Sequence, residues 1–207
     1  KEFIKAVKEY PECPKSACPS PEMFKEAYCC EEENVFVITL SAALSGSYNS
    51  AVLAKSLYEE EHGKKNILVL DSKSASSGQL NIAMYIRELC DQGLEFDEIC
   101  ERAAAYRDRM NTYFVLESLD TLKKNGRLTG LQAFFATKLN IKPVMGSTPE
   151  GAICQLSQAR GMNKALEKMV QEVVAKTKNC EEKILAIAHC CLLYTSSSPR
   201  DSTSSRM

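Results

Sequence analysis

Two clusters of hydroxyl side chains suggest chemistry in this chain: Ser41, Ser45 and Ser47 around Gly46, and Ser72, Ser74, Ser76 and Ser77 before Gly78. Each follows a solid apolar run and precedes a stretch of helical spacing. A strand that breaks into small residues and re-enters a helix leaves backbone N–H groups unpaired at the helix start. With the helix dipole behind them, those donors suit an anionic group such as a carboxylate or phosphate. The second cluster reads mainly as loop and cap residues. Asp71, at the end of its apolar run, reads as a cap rather than an acid or a metal ligand. Arg127 and Arg160 are the cations to weigh, either as surface ion pairs worth little or as partners of an anion. Nucleophilic catalysis would need a base beside a serine or cysteine, and His62 and His189 stand far apart in the sequence, so no Ser/His/Asp or Cys/His constellation can be assembled.

The elements that must position these residues alternate. Glu2–Tyr10 reads as a helix end, the proline-rich stretch 11–21 as a loop, and Ser20-Pro-Glu as a helix start leading to about Cys29. Val35–Leu40 reads as a strand packed on both faces, then a helix over Tyr48–Glu61, a strand at Ile67–Leu70, and a helix placing Leu80, Ala83, Met84 and Leu89 on one face and ending at Gly93. A further helix spaces Ile99, Ala103, Tyr106 and Met110 for burial. This alternation implies a parallel sheet covered by helices, with ligands beyond the carboxyl ends of the strands.

After Asn111 the pattern changes. A strand at Thr112–Leu116, a helix at Leu119–Lys124, a loop over 125–130 and an apolar helix at Leu131–Leu139 precede a strand at Ile141–Met145. In that apolar helix, Phe134 and Phe135 are read as core. The turn Thr148–Gly151 joins a strand at Ala152–Gln158. A helix over Met162–Lys178 turns Leu166, Met169, Val170 and Val173 inward, and Lys183–His189 forms a last strand. The expected organisation is α/β, with a parallel-sheet domain over 1–111 and a second, two-layer α/β domain over 112–190, both incomplete. The polar tail 191–207 resembles a translated sequencing adapter and is read as non-native or disordered.

Composition narrows the classes. The 207 residues can bury a real core, and a net charge of -1 without a basic stripe argues against nucleic acid. No apolar segment approaches the roughly 20 residues that span a bilayer, and the N-terminus is not a signal peptide, so the expected location is cytoplasmic. Ten cysteines occur without a CxxC pair, which disfavours a metal site; most are read as reduced thiols serving as small hydrophobes.

At Leu40-Ser-Ala-Ala-Leu-Ser-Gly-Ser-Tyr-Asn-Ser-Ala51 the chain resembles the DegV family of bacterial fatty-acid-binding proteins, whose pattern is a strand ending in two serines, then Leu-Ser-Gly-Thr-Tyr and a helix. Five further stretches agree in order: Pro14-Lys-Ser-Ala-Cys-Pro-Ser20, Leu70-Asp-Ser-Lys-Ser-Ala-Ser-Ser-Gly78, Lys123-Lys-Asn-Gly-Arg-Leu-Thr129, Leu139-Asn-Ile-Lys-Pro143 and Gln158-Ala-Arg160. The resemblance covers roughly residues 1–190.

It implies a carrier that holds one long-chain fatty acid and presents the carboxylate to a separate fatty acid kinase, which makes acyl phosphate for phospholipid synthesis. The carrier itself is not an enzyme and needs no cofactor or metal. Peripheral membrane contact would accompany lipid exchange. Residue by residue, the resemblance places the fatty acid at Ser16, Ser41, Ala42, Ser45, Gly46 and Ser47, with Arg127 and Arg160 near the head group or facing the kinase. It departs from the family where a threonine–serine pair is Ser16-Ala17 and a serine pair is Ser41-Ala42. By the same comparison a first strand and a C-terminal portion with a histidine motif lie outside this sequence. The alternative is an enzyme acting on a small phosphorylated or carboxylated metabolite at the same loops.

Overall fold

The computed structural model describes residue 10 and residues 15–128, 140–179 and 183–189. The expected helices at Glu2–Tyr10 and Leu131–Leu139, with Phe134 and Phe135, and the tail 191–207 lie outside the described residues, as do Cys13, Cys180, Cys190 and Cys191.

The first half alternates helix and strand: α1 (Pro21–Tyr28), β1 (Asn34–Thr39), α2 (Ser47–His62), β2 (Asn66–Asp71), α3 (Ser77–Asp91) and α4 (Phe96–Asp108). The serine expected to start α1 does so, since the Ser20 hydroxyl accepts a hydrogen bond from the Met23 N–H, with Pro21 in the first turn. β1 and β2 pair in parallel, from Asn34 against Asn66 to Thr39 against Asp71.

Alternation along these strands sends Phe36, Ile38, Leu68 and Leu70 to one face, where they meet Ile82, Ile86, Leu89, Ile99 and Ala103 of α3 and α4. Val35, Val37, Ile67 and Val69 point the other way, onto Tyr28 and Ala54 of α1 and α2. Each fully buried large aliphatic side chain contributes roughly 1.5–3 kcal/mol. The pair is therefore covered by helices on both faces, as its apolar runs require.

The inward face of α3 differs from the expected one. Leu80 and Met84 are half exposed, whereas Leu89 is buried as expected and is joined there by Ile82 and Ile86. Both rows satisfy helical spacing, and the β-branched row is the one that meets the sheet.

The second half holds β3 (Tyr113–Phe114), α5 (Asp120–Lys124), β4 (Ile141–Ser147), β5 (Ile153–Arg160) and α6 (Met162–Lys176). Its three strands are antiparallel in the order β3-β4-β5, and α6 packs on β4 and β5. The register shifts between Val144 and Met145, where Leu156 is the extra residue of β5, and Val144 and Met145 are both fully buried. The Thr148–Gly151 turn forms as the spacing implied, with the Gly151 N–H donating to Thr148 O at 2.9 Å.

Two expectations fail here. Val170 on α6 is 57% exposed, while Leu166, Met169 and Val173 are half-buried beside the fully buried Ala165. Lys183–His189 is not a strand: only Ile184 makes an isolated bridge, and Ile184, Leu185 and Ile187 are exposed. An apolar run becomes a strand only where a neighbour supplies ladder partners, and beyond that one bridge none of the described strands does.

The cysteines also depart from expectation. Cys18, Cys29, Cys30 and Cys90 are exposed, while Cys100 and Cys154 are half-buried; none of these six is in a disulfide. Cys29 Sγ lies 3.9 Å from His62 Nε2, a Cys/His proximity the sequence did not reveal because it forms where α1 and α2 end side by side. Burial is the first cause pushing the Cys100 thiol up, which fits the inert reading for that cysteine. Among the described residues no helix is long and apolar enough to cross a membrane.

Candidate anion-binding site

Both hydroxyl clusters sit where the parallel strands end. Thr39 and Asp71 are register partners at the last rung, so the loops after β1 and β2 leave the sheet side by side. The Ser41 N–H donates to Ser74 O at 2.9 Å and the Ser72 N–H to Thr39 O at 3.2 Å. Asp71 is the cap the sequence implied, its Oδ1 accepting from the Ala42 N–H at 3.0 Å and the Lys73 N–H at 2.9 Å.

Within the first loop, Ser41 O receives the N–H groups of Leu44 and Ser45 at 2.9 and 3.0 Å. Ser45 Oγ accepts from the Ser47 N–H at 3.2 Å and lies 2.9 Å from Ser47 Oγ. The cap residue of α2 is Gly46, which offers no side chain to the first turn. Among the described residues the N–H groups of Ala43, Gly46, Tyr48 and Asn49 have no acceptor. Those of Gly46, Tyr48 and Asn49 are open donors at the start of a 16-residue helix, which favour negative charge. Ala42, whose side chain replaces a hydroxyl of the family pattern, is exposed and has already given its N–H to Asp71.

A cavity of about 280 Å³ opens beside this loop, lined by Ala43 and Leu44, by Asn125 and Arg127 from the segment after α5, and by Ala152 and Ile153 at the start of β5. Arg127 reaches Leu44 O through Nε at 3.4 Å and Asn125 O through Nη1 at 2.7 Å. Arg160 is not brought here. It ends β5 seven residues past Ile153, which at about 3.4 Å per residue puts it roughly 24 Å along the strand. Ser16 is exposed and its segment runs close by, since Pro19 O accepts from Ser50 Oγ at 2.7 Å.

A second cavity, of about 230 Å³, takes its lining from Ser72, Lys73, Arg107, Asp108, Thr112 and Thr148, among others. Its cations are already engaged, with Lys73 Nζ and Arg107 Nη2 on the Asp108 carboxylate at 2.9 and 3.0 Å. Hydrogen bonds from Arg107 and then Lys73 hold the Asp108 carboxyl down to about 2. Three of its hydroxyls are also engaged: Ser74 Oγ, beside Ser72, lies 2.7 Å from Thr112 Oγ1, and Ser72 Oγ donates to Ser74 O at 3.0 Å. Ser72 and Ser74 are thus held within the loop, whereas Ser76, the cap residue of α3, makes no side-chain cap hydrogen bond.

Sequence reasoning missed the part played by Gly151, Ala152 and Ile153, whose small or apolar side chains carry no motif. Gly151 O accepts the Ser41 hydroxyl at 2.8 Å, with Ser41 fully buried.

Fold and site together define a mixed α/β protein that presents the open start of a long helix between a parallel and an antiparallel sheet. A family described as uncharacterised proteins of the DegV family matches residues 1–192, and the chain belongs to that family. A DegV domain-containing protein of Streptococcus gordonii is 40% identical over 160 residues, 77% of this chain and 57% of its own length. The chain thus spans a little over half of that relative.

Among solved structures, a DegV family protein from Ruminococcus gnavus refined with vaccenic acid is 52% identical at a TM-score of 0.85, covering 88% of this chain and 65% of its own. The Streptococcus pneumoniae Fatty Acid Kinase (Fak) B3 protein, loaded with linoleic acid, is 37% identical at a TM-score of 0.78, over 84% of this chain and 62% of its own.

Proposed function

We propose that this chain binds a long-chain fatty acid, with the carboxylate at the open N–H groups of the Ser41–Ser47 loop beside Arg127, and presents it to a fatty acid kinase for acyl-phosphate formation. One observation carries the reading: related proteins of this fold have been crystallised with fatty acids, and one of them bears the name of a fatty acid kinase component. Burying a carboxylate is costly unless several hydrogen bonds receive it, and the start of α2 offers them with a guanidinium alongside. Burying the acyl chain contributes about 0.8 kcal/mol per CH₂, so the tail supplies most of the affinity.

In this reading Ser16, Ser45, Gly46 and Ser47 contact or shape the head-group site, and Ala42 acts through its backbone. Arg160 belongs to the kinase-facing surface. The chain divides near residue 111, performs no chemistry itself and works in the cytoplasm, touching membrane only during lipid exchange. Native mass spectrometry of protein purified from bacteria tests this, with one fatty acid per chain expected. A lipid-free protein that turns over a soluble phosphorylated or carboxylated metabolite would overturn it.

A further inference from the structure

We propose that Gly151 is a positioning residue for the anion cradle: the turn it closes, supplied by the antiparallel sheet, sets the geometry of the Ser41–Ser47 loop, and Ser41 serves that contact rather than the ligand. The proposal rests on the fatty-acid reading for its binding consequence only.

A hydroxyl has one hydrogen to give. That of Ser41 goes to Gly151 O at 2.8 Å, so it is not available to a carboxylate. The rest of Ser41 organises the loop, its N–H bonding Ser74 O and its carbonyl receiving Leu44 and Ser45. Moving Ser41 therefore moves the loop that presents the open donors.

The opposing surface is equally constrained. Gly151 has φ +82°, and a Cβ there would overlap Ser41 Oγ and come within 2.7 Å of Lys73 Cα. The turn is braced by Gly151 N–H to Thr148 O and Thr148 N–H to Ala152 O at 2.9 and 2.8 Å. Ala152 and Ile153, next in the chain, line the cavity opposite Ala43 and Leu44. One contact thus fixes both walls. By reciprocity of linked equilibria, an anion that favours this loop geometry also strengthens the contact between the sheets.

Gly93 provides the control, with φ +75° and nothing within 4 Å of a Cβ added there. Gly93→Ala carries backbone strain without the collision; Gly151→Ala carries both. Two readouts on the full chain decide. In lipid-free protein, amide hydrogen exchange at Leu44 and Ser45 is expected to accelerate in Gly151→Ala and in Ser41→Ala but not in Gly93→Ala. In loaded protein, Gly151→Ala is expected to lose fatty acid about tenfold faster than Gly93→Ala, within the range of overpacking costs. The double variant Ser41→Ala with Gly151→Ala should be no worse than Gly151→Ala alone, because the two act as one unit.

Unchanged exchange at Leu44 and Ser45 in Ser41→Ala overturns the proposal, as do fully additive effects. Should Gly151→Ala not fold, Ser41→Ala, which adds no bulk, still decides by exchange. A wild-type chain that carries no lipid would overturn the fatty-acid reading and leave the exchange result to judge Gly151.

Discussion

Asp71 holds Ala42 across the end of the parallel strands, its Oδ1 taking the Ala42 N–H at 3.0 Å while also taking the Lys73 N–H at 2.9 Å. One carboxylate oxygen therefore fixes the departure of both post-strand loops. Hydrogen bonds to a charged acceptor contribute about 1.5–3 kcal/mol each. Asp71→Ala is expected to lower unfolding free energy by about 2 kcal/mol, with part of the charge-assisted gain offset by solvent at this half-buried site. Asp71→Asn keeps an acceptor oxygen and should lose less. Urea unfolding of the two variants checks this, and equal losses would show that the two N–H groups are held some other way.

Arg127 and Arg160 should behave differently. Arg127 lies at the cavity beside Leu44, so Arg127→Ala is expected to speed fatty-acid loss by about tenfold, the effect of removing one charge-assisted hydrogen bond of about 1.5 kcal/mol. Arg160→Ala, at the far end of β5, should leave retention unchanged. A lipid-transfer assay to vesicles measures both, and equal effects would mean that the head group is not beside Arg127.

Acid titration has a defined sign at Asp108. Its pKa falls from an ordinary 3.8 to about 2 because Arg107 and Lys73 hydrogen-bond the carboxylate. A depressed folded value adds stability above pH 3.8 and gives it up as the pH falls toward about 2. Asp108 is half exposed, so solvent screening keeps the contribution below about 1 kcal/mol. Asp108→Asn should flatten the stability curve in that window and nowhere else, as followed by urea midpoints at stepped pH.

Tyr28 carries the opposite dependence. Its ring is fully buried, its hydroxyl donates to Ala51 O at 3.0 Å, and burial pushes its pKa from 10 up to about 12. A raised value in a group that ionises to an anion contributes stability below pH 10 and loses it as the pH climbs toward about 12. Tyr28→Phe should cost about 1 kcal/mol at neutral pH for the lost hydrogen bond and abolish the alkaline slope. Absorbance titration of the phenolate together with thermal melts would show it.

What the sequence revealed depended on whether a signal was local. Val35–Leu40 and Ile67–Leu70 announced parallel strands because both faces needed cover, and the Thr148–Gly151 turn announced the β4–β5 hairpin. The α3 face was ambiguous because Leu80–Met84 and Ile82–Ile86–Leu89 both have helical spacing, and only the sheet's position chooses. For the site, the loop 41–47 and Arg127 were legible as a cradle and a cation. The commitment of Ser41 to a backbone carbonyl was not, since its partner is a glycine with no side chain to betray it. The resemblance left Arg160 near the head group or facing the kinase, and strand length carries it away from the 41–47 loop.

Ser41 and Gly151 are 110 positions apart, and closing a loop of that size costs roughly 4 kcal/mol of chain entropy beyond a constant. The contact therefore belongs to the slow, non-local part of folding, since that loop entropy is met before the contact rewards it. A half-folded molecule owns every serine of the loop and still lacks the contact that sets its geometry. In the proposed reading, binding competence then doubles as a test of complete folding.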